Sequence, residues 1–596
     1  MRRSIQNLVL AVGFFAVAAA IAIARAAPAT GYEGSIYAAT PTATWAGLAV
    51  GLGIAVCATV VCRRHQQHLA IGLGALSVTA IVSLPVIRNY RFLGLGDGLT
   101  HLGWARDFVA GDLLPHQLFY PGLHAVTSAL HLLGGIPLER AMLITVVLLF
   151  VPFVVFVPLV VRDVTGNAMA VGFAAVASWF VLPINNVATH MGPHTNSNAL
   201  FLVPVALFAF VAFLRRRGEL ERLPFGLSPF SALVIVVGVG LLLVHPQQMI
   251  NVVVVIGTIA GVQFLARRRY PDHPIVTQPT VYAHTAVLGG LFVIWALSNE
   301  RFRRALAGLL YGLLTQDIGG SAEVDQREAS LTAIGGSMTE LFAKMFLVAA
   351  VIGLIAALFV LLVWLGRTSL DAEARTFVTY FALALIPLGG MFLVYFVGTP
   401  TMAFRQVGFI YVMLTILGGI AVAHGIGWLS GPLTTPGATA LAATFLGACL
   451  VLSLLTVFAS PIIYNPTQHV SDQQMSGYES AIEHRNDDLL IAGLGYGPDR
   501  FGHAINGVEP SEEIAYGGGA GGVVLVDEFE AGNYSGAYHG MDYHFTVSAY
   551  DTTREFEVYQ ELHHSEAALA GLEAEPGANK VISNEEFRMY TVSGES

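Results

Sequence analysis

Charge is scarce in this chain: of 596 residues only 12% are Asp, Glu, Lys or Arg, while 55% are hydrophobic. A soluble protein of this length needs far more charge to cover its surface. The shortage therefore excludes an ordinary globular enzyme and leaves a polytopic α-helical membrane protein. Cysteine is almost absent too. Cys57, Cys62 and Cys449 all fall in apolar runs, which excludes a disulfide framework and a thiolate metal cluster. Lysine is rarer still, with Lys344 and Lys580 alone among thirty basic residues. Lysine scarcity beside abundant acid points to a salt-loving prokaryote, and no nucleic-acid partner is expected.

What the chain does have is apolar runs near the ~20 residues a bilayer crossing requires. They lie near 7–27, 44–62, 69–87, 141–161, 167–184, 197–214, 229–245, 249–266, 280–298, 344–366, 376–398, 407–428 and 438–460. The first follows MRR and precedes ARAAPA, as in a signal peptide, but its apolar stretch is long for one, and a retained helix is expected. The arginine-rich loops at 63–68, 215–222 and 267–270 must be cytoplasmic by the positive-inside rule. Alternation from a cytoplasmic N-terminus then gives thirteen spans and an outward C-terminus. The segment 120–135 cannot cross in that scheme and is expected to lie in the outer interface.

Two outer loops, 88–140 and 299–343, hold arginines that this rule does not require. Arg88, Arg91, Arg106, Arg140, Arg301, Arg303, Arg304 and Arg327 fall there. Such a concentration calls for an anionic partner, or for snorkelling toward lipid headgroups. Residues 1–460 thus form the membrane domain. From 461 to 596 there are 23 acids against 5 bases, a net charge of −18. No run there is long enough to cross, so a small acidic, soluble, extracytoplasmic α/β or α+β domain is expected. Within it 487–496 and 521–530 read as buried strands, 555–575 as a helix and 581–592 as a closing hairpin. Asn533-Tyr534-Ser535 is a glycosylation sequon on the outward side.

The residues able to do chemistry cluster in GDGLTHLGWARDF, 96–108. On a helix starting near Gly98, Asp97 occupies the N-cap, and His101 follows one turn later on the same face. Asp97 is then either a structural cap or a general base facing a bound hydroxyl. Phe119-Tyr120-Pro121-Gly122-Leu123-His124 opens the interfacial segment, and His245-Pro246-Gln247-Gln248 makes a polar turn between two spans. That turn lines a sugar pocket or satisfies helix ends. Arg405, in GTPTMAFRQVGF, is a cation in a short outer turn, costly unless paired or bound to an anion. His190 and His194 have chelating spacing only if helical, and the intervening Gly192-Pro193 argues against that.

An outer loop with an acid, then His101, then Ala105-Arg106-Asp107, then the aromatic-proline element at 119–124 resembles the first outer loop of the GT-C superfamily of membrane glycosyltransferases. The chain resembles a haloarchaeal example of that group. The resemblance implies transfer of a sugar from a polyprenyl (dolichyl) phosphate carrier to a lipid- or protein-linked glycan acceptor on the outer face of the cell membrane. Cell-surface glycoprotein glycosylation is the expected setting and membrane lipid a further partner. It also implies that the loop acid, Asp97 here, is the catalytic base.

A sugar phosphate already carries an anionic leaving group, so one carboxylate and one or two arginines suffice. Soluble glycosidases, by contrast, need paired carboxylates. Arginine suits the phosphate because its planar fork can donate two parallel hydrogen bonds. An inverting transferase is expected, with Asp97 catalytic and His101, Arg106, Tyr120, His124, His245, Gln247 and Arg405 binding substrate. No resident metal is assigned, although a divalent ion fits the group. Glu323-Val324-Asp325 is the nearest acidic ligand set, and the WWDYG-like motif of a related oligosaccharyltransferase is absent. Two other classes stand beside this one. A lipid-linked-sugar transporter or flippase would keep polar groups at the midplane and show a repeated half. A non-catalytic envelope assembly protein would bind through its soluble domain.

Overall fold

The structure is a computed structural model. It describes all residues except 1–2, 217–220, 225–227, 316–330, 399, 430–434, 496, 518–523, 539 and 595–596. The apolar runs form helices at every expected span. Nine of them, among the described residues, are long and apolar enough to cross a membrane. Ala168–Trp179, Pro229–Val244 and Tyr282–Ser298 are shorter apolar helices. The fold is thus a polytopic helical bundle with a small strand-containing domain at one end. Where helices cross closely, small residues let the backbones meet, as such packing requires. A Cβ on Gly419 would stand 2.5 Å from the Ala174 backbone, and one on Gly51 2.3 Å from Val17.

The run expected to span 167–184 is helical only to Trp179. Residues 180–194 continue as buried non-helical chain, with Val181 and Asn186 at positive φ. Such backbone is tolerated at membrane depth only when protein satisfies its polar groups. The Asn185 carboxamide does so: its oxygen accepts from the Val187 and Ala188 amides at 3.0 Å. Its Nδ2 donates to the Phe404 carbonyl at 2.9 Å. That last bond fixes this loop beside Arg405. Arg405 itself lies in the first turns of the helix Pro400–Leu429, not in a connecting turn as expected. Pro400 can start a helix because its missing N–H is one the first turn leaves unbonded anyway.

The segment Gly122–Gly134 is a short helix, and Glu300–Thr315 is an amphipathic one whose Arg303 and Arg304 are exposed. Glu323 and Asp325 lie outside the described residues. The arginines at 88–140 meet groups of the chain itself. Arg88, 3% exposed, grips Glu33 with both terminal nitrogens, one at 2.6 Å. Arg91 and Arg106 share Glu139 at 3.3 and 3.4 Å. Arg140 donates to Asn89 at 2.6 Å. The cations at 88–140 therefore have carboxylate or carboxamide partners within the chain.

The C-terminal domain begins by pairing with the membrane domain. The two-residue strand β1, Phe92–Leu93, runs antiparallel to β2, His469–Val470, with Phe92 opposite Val470. Beyond it, β3 (Leu490–Gly493), β4 (Tyr543–Ser548), β5 (Ala578–Ser583) and β6 (Phe587–Val592) form one sheet in the order β3-β4-β6-β5. The β3–β4 pair is parallel and the others antiparallel. Phe529, Phe545, Tyr543, Tyr590 and Leu572 pack its core. The hairpin at 581–592 and the strand at 490 form as expected. Two expectations fail. Val526–Glu530 is a short helix rather than a strand, and 518–523 fall outside the described residues. The helix expected over 555–575 is a single π-turn, Thr553–Val558, followed by an irregular stretch and the helix Glu566–Ala574. Ser565 caps that second helix through a side-chain bond from the Ala568 amide, starting it afresh.

Candidate active site

The helix Asp97–Ala110 packs against Pro498–Asn506 of the C-terminal domain. Contact is close because Gly103 has no side chain: a Cβ there would stand 2.5 Å from the His503 carbonyl. Polar groups then lock the two helices in register. Asp107, 1% exposed, accepts from the Val508 amide at 2.9 Å. Arg106 donates from Nε to the Ala504 carbonyl at 2.9 Å. Arg500 donates to Thr100 Oγ1 at 2.6 Å. Burial pushes the Asp107 carboxyl up from the ordinary carboxylate range, and only the bonds from Val508 and Glu509 oppose it. The Arg106-Asp107 pair thus joins the β1–β2 pairing and the Arg500–Thr100 bond in attaching the C-terminal domain.

Asp97 stands at the first helical position, not at the N-cap. Gly96 takes the cap with φ 57°, a conformation glycine adopts freely, and makes no side-chain cap bond. Freed from capping, the Asp97 carboxylate is 64% exposed at its side chain. It lines an open cavity of about 910 Å³ between the two domains. From the membrane domain come the 93–98 turn, the 186–194 loop with His190 and His194, Arg405, and Phe458-Ala459. The C-terminal domain contributes Asp499, Arg500, Arg554, Glu555, Tyr559, His563 and His564. Arg500 Nη1 lies 3.5 Å from Asp97 Oδ1 and its Nε 3.5 Å from Asp499. A half-exposed pair at that distance is worth at most about 1 kcal/mol. It orients Asp97 without consuming it.

His190 and His194 sit 5.6 Å apart, ring edge to ring face, on non-helical chain. The Ser197 hydroxyl holds both: it accepts from the His190 amide at 2.8 Å and pairs with His194 Nδ1 at 2.7 Å. Burial lowers both imidazoles, His190 to about 4 and His194 well below its ordinary value. Arg405 lowers His190 further and Asp97 raises it, so His190 lies in the field of both groups. The histidines therefore line the cavity as neutral hydrogen-bonding groups. Among the described residues no three His, Cys, Asp or Glu converge as a metal site.

Six of the eight residues singled out in the sequence do not line the cavity. His101 and His124 are buried and bond to one another, Nδ1 to Nε2, at 3.0 Å. Tyr120 stacks on His245 at 5.5 Å, and Gln247 is buried beside that turn, its amide without a hydrogen-bond partner. Arg106 is committed to Glu139 and Ala504. His101, Tyr120 and His124 pack around Trp104 on the helix Asp97–Ala110. The C-terminal wall was missed because the domain reads as a solvated acidic surface. One signal was present: Arg500 and Arg554 are two of only five bases in it.

Neither a family model nor a curated protein matches the chain. Its path is loosely similar to that of solved structures. ArnT from Cupriavidus metallidurans bound to undecaprenyl phosphate is 13% identical, with a TM-score of 0.46 over 89% of this chain and 99% of that one. The archaeal oligosaccharyltransferase AglB from Archaeoglobus fulgidus, in complex with an inhibitory peptide and a dolichol-phosphate, is 13% identical. Its TM-score is 0.45 over 86% of this chain and 74% of that one. The apo oligosaccharyltransferase of Archaeoglobus fulgidus is 12% identical, with a TM-score of 0.48 over 89% and 75%. A likeness this loose leaves the function to be argued from the cavity itself.

Proposed function

We propose that the protein is a membrane glycosyltransferase that moves a sugar from a polyprenyl, here dolichyl, phosphate to a lipid- or protein-linked glycan on the outer face of the membrane. The observation that carries this reading is the exposed Asp97 carboxylate in a cavity that also holds Arg405 and Arg500. A carboxylate with free lone pairs accepts a proton, and a guanidinium stabilises a phosphate as charge gathers on it. In the proposed step an acceptor hydroxyl oxygen attacks the anomeric carbon as the bond from that carbon to the phosphate oxygen breaks. Asp97 takes the hydroxyl proton, and the departing phosphate takes the electron pair under Arg405. A single displacement of this kind inverts the anomeric configuration.

Several features support the outward orientation. The cavity, the C-terminal domain and the arginine-bearing turn at 88–91 share one face of the bundle. The basic clusters at 63–68 and 267–270 sit at the opposite ends of their helices. His190 and His194 line the cavity and supply neutral hydrogen-bonding groups of the type that sugar hydroxyls need. The reading is tested by the glycans of the organism's surface glycoproteins with and without this gene. Loss of one sugar residue from the glycan, with its polyprenyl-phosphate donor accumulating on the outer leaflet, is the expected result. Accumulation of the donor on the inner leaflet would mean that the protein moves the carrier instead.

A further inference from the structure

The C-terminal wall of the cavity carries a group that phosphate binding and proton removal leave unused. Glu555, 1% exposed, lies on the π-turn Thr553–Val558. Arg554 approaches its Oε1 from both Nε and Nη2 at 2.9 Å, which balances its charge. Its Oε2 lies 3.2 Å from His563 Nδ1. Between the two, Gln560 and Glu561 are consecutive non-glycine residues at φ 51° and 63°. Such conformations cost on the order of 1 kcal/mol or more each and persist where the surroundings impose them, often at functional sites. π-turns have the same tendency. Here the strained turn brings His563 back over Glu555 and onto the cavity wall, with Tyr559 5.6 Å away and edge-on.

An imidazole whose Nδ1–H is held by a buried carboxylate carries its lone pair on Nε2. The His563 side chain is 45% exposed, so Nε2 is the nitrogen left for a ligand. We propose that His563, oriented by Glu555, accepts a hydrogen bond from a hydroxyl of a saccharide seated on the C-terminal wall. Tyr559 offers an apolar ring beside it. That combination suits a pyranose, whose hydroxyls donate around its edge while its C–H groups cover its face. The binding claim stands on this geometry. That the saccharide is the acceptor rests on the glycosyl-transfer reading. His563 is then an acceptor-binding residue, and Glu555 positions it.

The test uses the intact protein in lipid nanodiscs. Diethyl pyrocarbonate acylates an imidazole lone pair, and mass spectrometry reads each histidine separately. Methyl glucoside, methyl galactoside and methyl mannoside are the probes. At least one should slow acylation of His563 while leaving His65, in the opposite loop, unchanged. Asp97→Asn should keep that protection, because binding precedes transfer. If none of the three sugars protects His563, the proposal fails, whatever the transfer activity. In transfer assays His563→Leu should raise the acceptor KM about fivefold, the worth of one neutral hydrogen bond, with kcat and donor KM unchanged. His563→Gln, whose carbonyl can accept the same bond, should restore it. An unchanged acceptor KM in His563→Leu would overturn the proposal while leaving the role of Asp97 intact.

Discussion

Removing the Asp107 carboxylate should loosen the C-terminal domain from the outer helix by an amount the contacts define. Asp107 Oδ2 accepts from the Val508 amide at 2.9 Å and marginally from Glu509 at 3.5 Å. Its Oδ1 is buried with no hydrogen bond. Asp107→Ala leaves the Val508 N–H buried and unsatisfied, which costs about 2 kcal/mol. That is about a thirtyfold rise in the local opening constant. Hydrogen exchange at Val508 in the intact protein reads this directly, since the amide exchanges only when the contact opens. Asp107→Asn keeps the acceptor and removes the buried charge, so its exchange should stay within about threefold of the parent.

The pH dependence has a defined sign. Burial raises the folded-state value, so the folded protein binds the proton more tightly than the unfolded chain. The docked contact is therefore strongest at pH below the ordinary carboxylate value, and it weakens as pH rises through the raised one. Exchange at Val508 unaltered in Asp107→Ala, or accelerated equally by Asn, would refute the reasoning.

Two further outcomes follow from the cavity. Arg405→Ala should lower the transfer rate by about 100-fold or more, as removal of one stabilising donor does, while Arg405→Lys should recover only part of it because lysine lacks the planar fork. Steady-state transfer assays decide between these. Half-buried His190, its imidazole lowered to about 4 by desolvation, should stay neutral near pH 6.5 and become protonated only well below it. Nitrogen NMR of labelled histidine should show no titration of His190 near pH 6.5, and a midpoint there would contradict the burial the fold assigns to it.

The fold was legible wherever one physical pattern dominates. Apolar length gave the crossing helices. Where the pattern is ambiguous, legibility ended. Residues 180–184 are as apolar as a helix, yet they leave it because the Asn185 side chain satisfies the loop backbone. β4, Tyr543–Ser548, does alternate apolar and polar residues, but all six are buried in the fold, so the alternation does not mark a solvent face as it does in an ordinary half-buried strand. In the site, Asp97 stood out as an acid at the mouth of an apolar run. His101 was singled out by the same spacing and turned out to face His124. Arg500 and His563 lie some four hundred residues away in sequence, in a domain whose acidity suggested only solvation. Their role depends on a docking interface that spacing along the chain does not encode.

The transfer rate of Asp97→Asn, measured in proteoliposomes at saturating polyprenyl-phosphate sugar, tests the central claim most directly. Asparagine keeps the size and much of the contact with Arg500 but cannot take a proton. The rate should fall by about 100-fold to 10,000-fold, the range a positioned base contributes. A folded, membrane-inserted Asp97→Asn protein that transfers sugar as fast as its parent would contradict the account.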